Sequence, residues 1–308
     1  MLFRSLCGVG VSACLMAPLT GYRRWFDPTT QLRTNSWMLM TGSLGMVAAT
    51  LPVQWLLPIW GWRALFVAMA VCIGVSMLSI RLLVPDWQRS QPGAQAHDDD
   101  GGYSAVWRSR YFWRMTPIGF FSYGGMVAIQ TLWAGPWMTQ VAGWTPLESA
   151  TGLFAINLSM LTSFWLWGWI TPGLARRGIH ADGLIAKGFP LSLLVLTALV
   201  LVGPGAGAGA AALLAAFCVC STFVSLAQPA VGMAFSSHLA GRALSAYNLV
   251  IFVGVFVVQW GIGLLIDGFQ ALGLGEVTSF RAALAVLLAC CIASWANFMR
   301  AKPDNPLQ

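Results

Sequence analysis

The sequence predicts an all-α polytopic membrane protein, and three observations carry that prediction. Hydrophobic residues make up 57% of the 308 and charged residues only 9%, against roughly 25% charged in soluble domains. The apolar residues gather into runs long enough to cross a bilayer, and the basic residues gather at alternate ends of those runs. Length alone would suggest two soluble domains of about 150 residues. With 17 Lys and Arg and 10 Asp and Glu, however, there is no charged skin for a soluble fold. A mean hydropathy of +0.71 excludes a disordered chain on the same ground.

A helix needs about 20 mostly apolar residues to span the hydrocarbon layer. Nine runs qualify: roughly 2–20, 36–57, 63–84, 115–139, 149–172, 188–204, 206–235, 244–266 and 282–299. The sixth and seventh nearly touch across Gly203-Pro204-Gly205-Ala206-Gly207. Pro and Gly continue a helix ladder only at a cost, so a tight hairpin is expected there.

Lys and Arg beside the span ends set direction. With the first loop in the cytoplasm, that side holds Arg23, Arg24, Arg33, Arg81, Arg89, Arg108, Arg110, Arg114, Arg176, Arg177, Lys187, Arg242, Arg300 and Lys302. Only Arg4, Arg63 and Arg281 fall outside. The C-terminus is then cytoplasmic, and the net charge of +7 faces anionic headgroups rather than nucleic acid. Trp55, Trp60, Trp62, Trp137 and Trp144 near outer turns, with Trp25, Trp37, Trp107 and Trp113 near inner ends, fit an aromatic belt. The seven cysteines lie in apolar runs without disulfide or zinc spacing and are expected to behave as small apolar residues.

One long polar stretch, 85–112, carries Pro92-Gly93, His97-Asp98-Asp99-Asp100 and Gly101-Gly102, the composition of a flexible linker. Three spans precede it and six follow. Transporters are commonly built of three-span units, so three-linker-six is expected to be what remains of six-linker-six. A start at Met1 on the outer face agrees with a missing beginning. A lipoprotein-like box at Val11-Ser12-Ala13-Cys14 is the weaker alternative.

Several segments resemble the major facilitator superfamily. Arg4-Ser5-Leu6-Cys7-Gly8-Val9-Gly10 is similar to the R-x-x-x-G-x-G signature of that family's fourth helix. Residues 42–66, with Gly42, Gly45, Leu51-Pro52 and Gly61-Trp62-Arg63-Ala64-Leu65-Phe66, resemble its fifth and sixth. Gly168 with Leu174-Ala175-Arg176-Arg177-Gly178 is similar to the second-half copy of the G-x-x-x-D-R-x-G-R loop. Pro172 and Gly173 stand there where the family has Asp and Arg. Gly241-Arg242, Asn248, Phe252-Val253-Gly254, Gln259-Trp260-Gly261-Ile262-Gly263 and Ile266-Asp267 resemble an eleventh helix of bacterial members.

The resemblance implies that the chain corresponds to helices four to twelve, in a bacterial inner membrane. Residues 1–84 would be the second half of the N-terminal lobe and 85–112 the cytoplasmic inter-lobe linker. Residues 113–300 would be the six-span C-terminal lobe and 301–308 a cytoplasmic tail. It implies a gating role for the cytoplasmic loop residues Gly168, Arg176, Arg177 and Gly178.

A charge at mid-helix costs about 2.5–3.5 kcal/mol on an insertion scale, so embedded ionisable groups usually mark function. All ten acids lie in loops or at span ends. Arg4 is the one charge that restored upstream turns would bury. The resemblance implies a substrate or proton role for it, and snorkelling to headgroups is the alternative. Neutral polar residues are more numerous: Tyr123, Gln130, Trp133 and Trp137 on one face of the fourth span, where Gly124-Gly125 and Pro136 are expected to break the helix, and Asn157 on the fifth. Ser221, Ser225 and Gln228 follow on the seventh, with Asn248 and Gln259 on one face of the eighth. Each alone fits interhelical hydrogen bonding, and as a set they fit the wall of a polar cavity.

The function these features imply is secondary active transport of a small solute by alternating access of two lobes. With no embedded acid, an organic anion or polar neutral metabolite is favoured. The expected partners are that solute, a coupling proton and the lipid bilayer, with no nucleic acid, and the expected state is a monomer. No cofactor, metal ligand set or catalytic residue is expected. His97, His180 and His238 fall in loops, which disfavours a membrane-embedded enzyme, and no phosphate-binding G-x-x-x-x-G-K-S/T loop is present. A non-transporting sensor or transporter remnant is the alternative, and the fragment alone is expected to transport poorly.

Overall fold

The computed structural model describes residues 18, 21–22, 25–26, 28–84 and 102–301. Among them every regular element is helical. The first predicted span, 2–20, lies almost wholly outside the described residues. Arg4 and the polar stretch 85–101 lie outside them entirely.

Helix α1 runs Pro28–Ala48 and α2 runs Leu51–Leu83. The break between them falls at Ala49–Thr50, ahead of Pro52, and not at 58–62 as the apolar pattern predicts. Pro52 sits at the start of α2, where its missing N–H has no intrahelical partner to lose. The expected turn at 58–62 is a kink instead, at Gly61 (φ 70°, ψ 163°), a conformation that L side chains avoid. Helix α3, Gly102–Arg108, occupies part of the stretch expected to be flexible linker and packs on a later helix.

Residues 110–141 form α4, a rod of unusual winding. Three π segments, Ile118–Tyr123, Ile129–Trp133 and Trp137–Val141, alternate with short α stretches. Gly124-Gly125 and Pro136 do not break it, which corrects the expectation. Gly124 (φ −56°, ψ −42°) and Pro136 (φ −54°, ψ −40°) both stay helical.

Helix α5 spans Pro146–Arg176, α6 Ala181–Val202, α7 residues 210–234, α8 Ser237–Ala271 and α9 Glu276–Arg300. Thr145 and Glu148 open α5 with a reciprocal cap. The Thr145 N–H donates to the Glu148 carboxylate at 2.8 Å, and the Glu148 N–H donates to the Thr145 hydroxyl at 3.3 Å. The predicted hairpin between α6 and α7 is present as the tight segment Gly203–Gly209, with positive φ at Gly203 and Gly207. Arg281 donates to the carbonyls of Val200 (2.8 Å) and Leu201 (3.0 Å), closing the C-terminal end of α6, where a cation meets the negative pole of the helix.

Five helical stretches among the described residues are long and apolar enough to cross a membrane: Leu51–Leu83, Pro146–Leu174, Ala181–Ala234, Leu239–Ala271 and Glu276–Arg300. That measure does not confirm nine crossings. It joins α6 and α7 across their hairpin, finds only Trp37–Ala48 in α1, and omits α4, which its π segments divide.

The core lies among α4, α6, α7, α8 and α9, with Phe112, Met115, Phe189, Tyr247 and Phe298 fully buried. Helix α1 packs along α5. Helices α4 and α8 cross where neither carries a side chain. A Cβ on Gly124 would stand 2.8 Å from the Gly254 backbone, and one on Gly254 would stand 2.4 Å from the Phe120 carbonyl. Small residues at such crossings let backbones touch.

Candidate transport pathway

The antiparallel helices bring Arg108, Arg110, Arg114, Arg176, Arg177, Arg242 and Arg300 to one end of the bundle. At that end Arg114 is buried and makes three contacts. It pairs with Asp182 at the start of α6, donates from Nε to the Phe298 carbonyl at 2.9 Å, and lies 4.0 Å over the Phe298 ring. The Tyr111 hydroxyl donates to the other Asp182 oxygen at 2.9 Å. Burial, followed by the Asp182 charge, pushes the Tyr111 phenol well above its usual range. The group ties α4, α6 and α9 together. Sequence reasoning placed Arg114 and Asp182 separately at span ends, and their spacing gives no sign that they meet.

Deeper in, the buried amides of Gln130 on α4 and Asn157 on α5 meet. Gln130 Nε2 donates to Asn157 Oδ1 at 2.9 Å and lies 3.5 Å from Met46 Sδ on α1. Asn157 Nδ2 donates back to the Leu153 carbonyl at 2.9 Å. Both residues were singled out in the sequence, though not as a pair.

The other side of α4 faces α8. Gln259 Nε2 donates to Thr131 Oγ1 at 2.9 Å, and Trp133 Nε1 donates to the Gln259 carbonyl at 3.1 Å. Gln130 and Trp133 therefore address different neighbours rather than one common face. An i→i+5 winding turns through less angle per residue than the α-helix on which the expectation was built. Trp137, expected in the interfacial belt, is 1% exposed, and its indole N–H has no partner among the described residues. It packs into the core, after the π segment Ile129–Trp133 has shifted the phase of the rod.

The remaining candidates are dispersed. Tyr123 is half-buried against the core and Asn248 is buried. Ser225 bonds locally to the Thr222 carbonyl at 2.6 Å, within the 3-10 segment Thr222–Leu226 that shifts the phase of α7. Gln228 keeps a covered Nε2 with no hydrogen-bond partner, and so does the Ser221 hydroxyl. At the foot of α5, Gly168 is buried, while Arg176, Arg177 and Gly178 are exposed. Gly178 (φ 70°) ends that helix, with the Ile179 N–H reaching back to the Leu174 carbonyl at 3.0 Å. Arg33 on α1 lies 4.8 Å over Trp37 and 6.0 Å from Trp169 of α5, so α1 and α5 also meet near this end. Two cavities open beside these contacts. One of about 310 Å³ lies between α1 and α5 at Met40, Leu44 and Trp165, and one of about 390 Å³ lies between α4 and α8.

Of the five described cysteines all are free, with Cys218 and Cys291 buried but Cys72 exposed. Among the described residues no group of His, Cys, Asp and Glu is arranged to hold a metal ion.

Long apolar helices joined by short turns define a helical integral membrane protein. The family model described as Major Facilitator Superfamily matches residues 1–259, and the chain belongs to that family. Membership supports secondary transport of a solute as its activity. Comparison with the curated proteins finds no match.

Proposed function

We propose that the chain moves a small polar solute, neutral or anionic, by alternating access of two helical lobes. The arginine-rich end is cytoplasmic and the membrane is a bacterial inner membrane. Helices α1 and α2 belong to the first lobe and α4–α9 to the second. The observation that carries this reading is the buried Gln130–Asn157 pair with Met46 beside it, where α1, α4 and α5 converge. Buried amides next to a contact between lobes offer a passing solute both donors and acceptors, and we read the unpartnered Gln228 Nε2 on α7 as a donor at a separate point of the same path. Gly168, Arg176, Arg177 and Gly178 form the cytoplasmic gate loop in this scheme. A coupling proton would need a carrier other than an embedded carboxylate of these helices. The working unit is a monomer.

The test places single cysteines at Gln130, Asn157 and Gln228 in a background without native cysteines. Sealed vesicles of either orientation are treated with a membrane-impermeant maleimide in the presence of candidate solutes. Protection of all three positions by one polar solute supports the reading. Inertness of all three from both sides, in folded protein, contradicts it.

A further inference from the structure

The 390 Å³ cavity between α4 and α8 has a chemistry of its own. Its walls are Trp133, Phe256, Trp260 and Leu264, its floor is Gly263, and Asp267 stands at one end. The α8 residues recur at i, i+4, i+7, i+8 and i+11, one face of a helix. A Cβ at 263 would lie 3.5 Å from the Trp133 ring, an ordinary contact distance, so that indole lies against the helix at this point. The rings are held in place. Trp133 spends its N–H on the Gln259 carbonyl and meets Phe280 edge-on at 6.0 Å, while Phe256 and Trp260 stack at 6.2 Å.

No Lys or Arg lines the cavity, and no cation among the described residues pairs with Asp267. Aromatic faces carry negative potential, and the carboxylate adds a full charge of the same sign. The volume suits a small organic molecule. We propose that this groove binds an ammonium-bearing organic solute, including zwitterions that are neutral overall, with the cation over the indoles and its charge met by Asp267. The groove lies on the α8 side of α4, away from the Gln130–Asn157 pair. The proposal concerns binding alone and does not depend on the transport reading.

The experiment measures equilibrium binding of radiolabelled tetraethylammonium to the full chain in lipid nanodiscs, with benzoate as the anionic competitor. Saturable binding that benzoate does not displace is expected. W260L should weaken it by about two- to fivefold, the scale of an exposed cation–π contact, and D267N should weaken it at least as much, while D267E stays near the parent. D267E also shows that the site tolerates substitution without misfolding. Absence of saturable binding, displacement by benzoate, or parental affinity in D267N overturns the proposal. None of these outcomes bears on the maleimide experiment at Gln130, Asn157 and Gln228.

Discussion

Gln130 and Asn157, 27 residues apart and on different helices, share a 2.9 Å hydrogen bond inside the bundle. Interhelical bonds of this type in membranes are worth about 0.6 kcal/mol on average. Replacing both residues by Leu, which leaves neither amide unpaired, should therefore barely lower thermal stability. If the pair contacts solute, the same change should lower solute protection or uptake by tenfold or more. Equal small losses in both measurements would mark the pair as structural.

At the crossing of α4 and α8, a methyl on Gly254 would collide with the Phe120 main chain. G254A should separate the two helices and destabilise the fold by about 1–3 kcal/mol, as overpacking does. G261A serves as the control, because nothing lies within 4 Å of its Cβ position. Thermal denaturation in detergent compares the two.

The Arg114–Asp182 pair predicts an asymmetry. R114L leaves Asp182 without its cation, and D182N leaves a buried guanidinium facing an amide. Breaking a buried pair from one side costs about 3–5 kcal/mol. With Asp182 about a quarter exposed, roughly half of that is expected here. The double variant R114L/D182L should recover part of the loss in the same denaturation assay.

Glu148 offers a pH test. Its bonds from the Thr145 N–H and hydroxyl hold the carboxyl below its ordinary value of 4.5. A depressed folded-state pKa contributes stability above the unfolded value, which is lost as pH falls through the lower folded value. The advantage of the parent over E148Q should thus be complete above pH 4.5 and fade below it. A melting series across that window reads it directly.

The helical class and the hairpin at Gly203–Gly207 were legible because composition and turn residues act locally. The break between α1 and α2 was not legible: the apolar runs leave a gap at 58–62, where the chain only kinks at Gly61, and the helices part at Ala49–Thr50 instead. The winding of α4 was not legible. Trp133 meets α8 and Trp137 lies in the core, whereas α-helical spacing puts both on one face with Gln130. Gln130 and Asn157 were recognisable as costly residues in lipid, yet which partner satisfies which depends on helix rotation. Arg114 reads as an interfacial charge until the Phe298 carbonyl and ring, 184 residues away, are brought over it.

The account rests on α5 crossing the bilayer with its arginine-rich end in the cytoplasm. Single cysteines at Gly143 and Gly178, just beyond its two ends, test this in intact cells with a membrane-impermeant maleimide. The account predicts labelling at 143 alone, with 178 reacting only after the cells are opened. Labelling of both positions in intact cells, or of 178 alone, would contradict it.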